Sequence, residues 1–189
     1  MKIINFFGGP GVGKSTTASG LFNMMKMSGF NCELVTEFAK DLTWSASHKA
    51  LGYQPYVMAN QAWRVERLNG LVDFVITDSP ILLSTIYCDE NLPQCFHDYV
   101  LWEHNRFETI NFLIKRMKIY SPIGRNQTEE EANQIGEKIV NKMKELKSLV
   151  SDIQADTLIV VSDVSRFSRN LICGLETIDT LLEKKSNVY

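Results

Sequence analysis

Phe6-Phe7-Gly8-Gly9-Pro10-Gly11-Val12-Gly13-Lys14-Ser15-Thr16-Thr17 decides the reading of this chain. Gly8, Gly13, Lys14 and Ser15 stand at the fixed positions of a Walker A loop, G-x-x-x-x-G-K-S. Such a loop turns its backbone amides inward around phosphate oxygens, and glycines let the chain wrap that closely. Lys14 brings a point charge to the outer phosphates. The Ser15 hydroxyl is placed to ligate Mg²⁺. Both flanks suit the motif. Met1 to Phe7 is short, apolar and ended by glycines, as a buried strand is. Lys14 to Met27 carries Ala18, Leu21, Phe22 and Met25 at helical spacing and stops at Gly29. A helix opening at the loop aims its positive end at the anion. Gly9, Gly11, Val12, Gly13, Lys14, Ser15 and Thr16 are the expected contacts of a nucleoside triphosphate, with ATP and Mg²⁺ as the expected cofactors.

Outward from the loop, strand and helix patterns alternate. Cys32–Thr36, Val72–Thr77, Ile110–Ile114 and Thr157–Ser162 read as strands. Phe38–Leu51, Tyr56–Leu71, Phe96–Glu108 and Leu171–Glu183 read as helices. Thr128 before Glu129, Glu130 and Glu131 is a helix start, a hydroxyl cap with acids in the first turn, and that helix is expected to run to Val150. The pattern predicts an α/β fold in three layers: a five-stranded parallel sheet with helices on both faces. A length of 189 residues suits a single domain over 1–189.

Ligands of such sheets bind beyond the carboxyl ends of the strands. Asp78 ends Val75-Ile76-Thr77-Asp78, an acid after an apolar strand as in a Walker B element. It suits a Mg²⁺ ligand acting through water, a base toward an acceptor hydroxyl, or a turn acid before Ser79-Pro80. Glu37 closes Leu34-Val35-Thr36-Glu37 and suits an acceptor-binding group or base, with Asp41 one helical turn further on. Arg116 and Arg125 bracket a polar stretch that reads as a lid near residues 116–130. Arg64 and Arg67 share a helix face, suited to an anion or to solvent. Of Trp44, Tyr53, Tyr56, Trp63 and Tyr87, some could stack a base, while most are expected in the core.

The composition narrows the class. Hydrophobic residues make up 44% and charged residues 22%, as in an ordinary globular protein. A net charge of −2 argues against a surface dominated by nucleic-acid binding, though not against a local basic groove. No apolar run approaches the roughly 18 residues that span a bilayer, and the N-terminus does not read as a signal peptide. No membrane partner is expected, and the expected location is cytoplasmic, in the host cytoplasm for a viral chain. A monomer or homodimer suits the size. Cys32, Cys88, Cys95 and Cys173 form no CxxC pair and read as free thiols; with His97 and His104 they match no usual zinc spacing.

Four stretches resemble the P-loop nucleoside and nucleotide kinases: FFGGPGVGKSTTA (6–18), VTEFAKDL (35–42), VITDSP (75–80) and YSPIGRNQTEEEA (120–132). Within that family the chain is most similar to small phage-type kinases related to ribosylnicotinamide kinase and, more loosely, thymidylate kinase. The resemblance covers residues 1–150. It implies Lys14 and Ser15 on ATP and Mg²⁺, Asp78 near the metal or the acceptor, Glu37 near the acceptor, and Arg125 in the lid, giving a catalytic set of Lys14, Glu37, Asp78 and Arg125. The implied activity is transfer of the γ-phosphoryl group to a nucleoside- or nucleotide-like acceptor. Some phage relatives of thymidylate kinase phosphorylate 5-hydroxymethyluracil within DNA during thymidine hypermodification, so DNA stands as an alternative acceptor. TLIVVSDVSRFSRNLICGLETIDTLLEKK (157–185) resembles the serine-recombinase segment that carries paired arginines, here Arg166 and Arg169. The early strand here carries the phosphate loop rather than the Tyr-x-Arg-x-Ser element of a recombinase. A P-loop ATPase without transferase activity is the remaining alternative. No Asn-Lys-x-Asp element of a GTPase occurs, and an AAA-type motor is expected to need more chain.

Overall fold

A computed structural model describes residues 1–116, 119–123, 126–149 and 157–161, with backbone alone for 146–149 and 157–161. Arg125, Arg166, Arg169, Cys173 and the expected final helix Leu171–Glu183 lie outside the described residues. The chain alternates β1 (Lys2–Phe7), α1 (Lys14–Met27), β2 (Cys32–Val35), α2 (Phe38–Trp44), α3 (His48–Leu51), α4 (Gln54–Glu66) and β3 (Phe74–Thr77). A 3₁₀ turn (Ile81–Leu83), α5 (Ser84–Tyr87), α6 (Gln94–Asn105), β4 (Glu108–Ile114), α7 (Glu129–Leu149) and β5 (Thr157–Val161) follow.

The five strands form one sheet in the order β2-β3-β1-β4-β5. All four ladders are parallel. β1 is central, with Asn5 level with Thr77 of β3 on one side and Asn111 of β4 on the other. Alternate residues of each strand feed opposite faces. Ile4, Phe6, Ile76, Ile110 and Phe112 pack against Ala18, Leu21 and Met25 of α1. Phe7 and Leu113 pack on the other face with Met58 of α4, Val100 of α6 and Ile139 of α7. Strands buried on both faces explain the unbroken apolar runs in the sequence. Phe6 and Phe112 stack across the central ladder, with centroids 5.2 Å apart and planes at 19°.

Several boundaries differ from expectation. Phe38–Leu51 is not one helix: it breaks after Trp44, where Ala46 takes a positive φ of 53°, and restarts as the single turn α3. α4 begins at Gln54 because Pro55 is accepted in a first turn, and it ends at Glu66. α6 stops at Asn105, and Glu108 already pairs with Lys2 in the sheet. The short helical turns over Ile81–Leu83 and Ser84–Tyr87 carry too few residues to show a period. The expected cap of α7 is formed as a reciprocal box: Thr128 N–H donates to Glu131 Oε2 at 2.7 Å, and Glu131 N–H donates to Thr128 Oγ1 at 3.3 Å. Four of the five aromatics expected mainly in the core are exposed: Trp44, Tyr53, Tyr56 and Trp63. They sit on outward positions of α2 and α4 or in the turn between α3 and α4, while branched and unbranched aliphatics fill the inner face. Among the described residues no helix is long and apolar enough to cross a membrane.

Phe112 is 1% exposed and stacked on the central strand, so Phe112→Ala leaves a cavity as well as losing transfer energy. The variant is expected to be less stable by about 3–5 kcal/mol in urea denaturation. A loss below about 1 kcal/mol would mean that α1 closes over the gap.

Candidate active site

β1 ends directly in the phosphate loop, and the loop ends directly in α1. Gly8 takes φ +146°, and a β-carbon there would lie 2.7 Å from the Ile114 carbonyl oxygen at the end of β4. Gly9 is held as tightly: its β-carbon would lie 2.8 Å from the Ala132 carbonyl oxygen and 3.1 Å from Gly136 Cα, both in α7. The loop is therefore wedged between β4 and α7, with glycines where those backbones approach. Gly13 caps α1 in the left-handed region, with φ 103° and ψ 16°. α1 carries no acid in its first turn, which keeps the positive end of the helix electrostatically open to an anion. The Lys14 ammonium reaches back over the loop and donates to the carbonyls of Gly8 at 2.8 Å and Gly9 at 3.1 Å.

A cleft of about 660 Å³ opens at the carboxyl ends of the strands. Pro10, Gly11, Gly13, Lys14, Ser15 and Thr16 form one wall. Glu37, Lys40, Thr43 and Trp44 of the β2–α2 region, with parts of α3, α4 and α5, form the opposite wall. Ile123, Asn126 and Gln127 border it from the segment before α7, where Asn126 Nδ2 donates to Thr43 Oγ1 of α2 at 3.2 Å. The structure thus brings Lys14, Ser15 and Glu37 into one cleft. Gly9 and Val12, expected at the triphosphate, are not on its wall: Gly9 faces α7, and Val12 packs into the core beside α1.

Asp78 follows β3 and is only 3% exposed. Its Oδ1 is buried without a hydrogen-bond partner. A buried carboxylate oxygen without a donor is costly and suits a hydrated divalent cation. The next residue, Ser79, lines the cleft, and its N–H donates to Thr77 Oγ1 at 3.1 Å, which fixes the turn that carries Asp78. Ser15 lines the cleft whereas Asp78 lies beneath its lining, so the unpartnered Asp78 oxygen is the one observation here that fits a Mg²⁺ ion.

Arg116 and Asp41 do not take the places expected for them. Arg116 donates to the Pro10 carbonyl at 3.0 Å, pairs with Glu129 at 3.4 Å and lies over the Tyr120 ring at 5.0 Å. It thereby ties the end of β4, the apex of the loop and the start of α7 together instead of lining the cleft. Asp41 is ion-paired with Arg64 and is not among the residues lining the cleft, whereas Glu37 is. Arg64 is in turn engaged, not held ready for a substrate anion. Among the described residues no group of three or more His, Cys, Asp or Glu side chains could hold a metal ion; Cys88 Sγ lies 3.9 Å from His97 Nε2.

Tyr87 and Gln61 reach the cleft although no motif names them. Burial, then the nearby charge of Glu37, pushes the Tyr87 phenol well above its ordinary value, so it faces the cleft as a hydroxyl donor. Gln54 and Gln61 stand at the same helical positions as Val57 and Met58, and both glutamines are buried. Glutamine on the apolar face of an amphipathic helix is a signal that the sequence does carry.

A phosphate loop between a central parallel strand and a helix, with acids at neighbouring strand ends, defines a P-loop α/β protein of the nucleotide-binding kind. The chain belongs to the AAA domain family, whose profile matches residues 3–158. No curated protein matches significantly. Solved structures share the fold, two of them of one enzyme. One is deoxyadenosine kinase from M. mycoides with bound dATP, 19% identical over 93% of this chain and 100% of that one, with a TM-score of 0.53. The other is the same kinase with the products dCMP and a flexible dCDP bound, 18% identical over 94% and 100%, with a TM-score of 0.59. At these identities the likeness is one of fold.

Gly9→Ala is expected to push α7 off the loop, because the atoms met by the new methyl group are backbone. A stability loss of about 1–3 kcal/mol and a weaker rise in Tm on adding MgATP are expected. Wild-type values for both would mean that α7 does not seat on the loop.

Proposed function

We propose that the protein is an ATP- and Mg²⁺-dependent phosphotransferase that moves the γ-phosphoryl group to a nucleoside-like acceptor. The observation that carries this reading is the two-walled cleft. The phosphate-loop residues Pro10, Gly11 and Gly13 to Thr16 share the lining of one cleft of about 660 Å³ with Glu37 and parts of α2 to α5. That volume is in the range of small-molecule sites. The kinship in fold to a deoxyadenosine kinase seen with dATP and with dCMP and dCDP supports a nucleoside or deoxynucleoside as acceptor.

In this reading the loop amides and Lys14 bind the phosphates and orient the γ-phosphoryl group toward the second wall. Ser15 and Asp78 hold Mg²⁺, which when bound neutralises developing phosphate charge. Glu37 binds the acceptor hydroxyl or takes its proton, with the Tyr87 hydroxyl beside it as a donor. The segment 116–130 acts as a lid that excludes water, and Arg125 within it stabilises the migrating phosphoryl group. Base contacts are proposed for Trp44, whose exposed ring borders the cleft. A second reading is ATP hydrolysis without transfer, and the match to the AAA domain family favours it.

Transfer of labelled γ-phosphate separates the two. The acceptors are deoxynucleosides, ribonucleosides, their monophosphates, ribosylnicotinamide and DNA containing 5-hydroxymethyluracil. Label is expected on a free nucleoside. Label only on the DNA would replace the acceptor with a flipped base, and label on none with phosphate released would establish the hydrolase. Lys14→Ala is expected to lower ADP formation by roughly 10²- to 10³-fold with the fold retained in circular dichroism. Asp78→Asn is expected to lose a similar factor at saturating Mg²⁺. Near-normal turnover of the Asp78 variant would return that residue to a structural role.

A further inference from the structure

We propose that Gln61 is a positioning residue that sets the Glu37 carboxylate at the acceptor wall; the inference rests on Glu37 binding or deprotonating the acceptor hydroxyl. Glu37 is the residue just before α2, in extended conformation with φ −65° and ψ 118°, and its side chain makes no cap hydrogen bond to that helix. The first amides of a helix need acceptors, and glutamate is not among the side chains that ordinarily cap from this position. Here the acceptor comes from α4. Gln61 Oε1 accepts from Phe38 N–H at 2.9 Å, while Gln61 Nε2 donates to the Thr36 carbonyl at 3.4 Å. One planar amide thus bridges the residue before Glu37 and the residue after it. Only a side chain with a donor and an acceptor at one end does both.

The grip extends along the turn. Arg64, one helical turn beyond Gln61, donates to the same Thr36 carbonyl at 3.3 Å, pairs with Asp41 and lies over the Phe38 ring at 5.0 Å. Gln61 also borders a small pocket of about 30 Å³ with Asn5, Thr77, Ser79, Glu103 and His104. Gln61 is itself only 4% exposed, so little water competes for these bonds. Its loss would leave the Phe38 amide without its partner and let the turn relax. Displacement of a reacting carboxylate by about 1 Å costs on the order of 10²-fold in rate.

The test is a double-mutant cycle on the full chain: wild type, Gln61→Met, Glu37→Gln and the double variant. ADP release from ATP is measured with 2′-deoxyadenosine as acceptor and with water alone, together with ATP affinity and Tm. Gln61→Met, close in shape but without the amide, is expected to slow release by roughly 10- to 100-fold while ATP affinity stays within about twofold. In the Glu37→Gln background it is expected to cost nothing further. Equal losses in both backgrounds would overturn the positioning role while leaving Glu37 a functional residue. Wild-type rates for Glu37→Gln with both acceptors would remove the proposed role of Glu37, and that of Gln61 with it. Gln61→Glu keeps the claim testable should the Met variant not fold. Its protonated carboxyl can donate and accept as the amide does, so its rate relative to wild type is expected to rise as pH falls from about 8 to 5. A flat ratio over that range would overturn the proposal.

Discussion

Two positions in the phosphate loop leave no room for a β-carbon, and much of the site follows from that crowding. Gly8 lies against the carbonyl at the end of β4, and Gly9 lies against the backbone of α7 at Ala132 and Gly136. The loop is therefore clamped by two elements more than a hundred residues away in sequence. Arg116 closes the same clamp from outside, joining the Pro10 carbonyl to Glu129 at the start of α7. A loop held this way keeps its amides aimed before any ligand arrives, and the ordering cost is met during folding, not on binding. The close approach of the α7 backbone is thus what requires glycine at position 9. A β-carbon at position 136 would lie 3.9 Å from Gly9 Cα, in ordinary contact, so the crowding falls on Gly9 and not on Gly136.

The same reasoning applies one layer deeper. Beneath the site a polar rung crosses the three central strands at one level: Thr77, Asn5 and Asn111. All three are buried, where unpaired polar groups are costly. Asn5 Nδ2 donates to Asn111 Oδ1 at 2.9 Å, and Asn111 Nδ2 donates to Thr109 Oγ1 at 3.1 Å. Thr77 Oγ1 accepts from Ser79 N–H and so shapes the turn bearing Asp78. The rung interrupts an apolar core in the layer where the chain passes from packing to chemistry. Its polar atoms have partners, whereas Asp78 Oδ1 just beyond it has none. That contrast sets Asp78 apart from the side chains that are paired within the fold.

The fold was legible because its signals are local. Strands buried on both faces show as apolar runs, and the capping box at Thr128 and Glu131 is written within four residues. The loop motif fixes its flanking elements by covalent adjacency. The acceptor wall was less legible because it is made by packing. Glu37 stood out as an acid at a strand end, but the partner of Asp41 sits on another helix, and only the fold brings Arg64 to it. The aromatics of α2 and α4 point outward although their type predicts burial, because aliphatic side chains already fill the sheet side. Tyr87 lies on a helix of four residues, too short for any periodicity to reveal. Gln61 was visible in part, as a polar residue at core spacing on α4, while its bonds to the turn depend on where α4 lands.

Where α4 lands also decides how the two walls communicate. The segment before α7 reaches across the mouth of the cleft, and Asn126 donates to Thr43 of α2. α2 is the helix whose first turn Gln61 caps and whose Asp41 Arg64 holds. The border segment, the acceptor wall and α4 are therefore linked by side-chain bonds rather than by shared backbone. Such bonds can break without unfolding either element, since each replaces a contact that water can supply at an exposed surface. The phosphate wall has no such freedom, because its contacts are backbone against backbone at Gly8 and Gly9. Rigidity is thus built into the half that binds triphosphate. Adjustability is left to the half assigned to the acceptor in the proposed function.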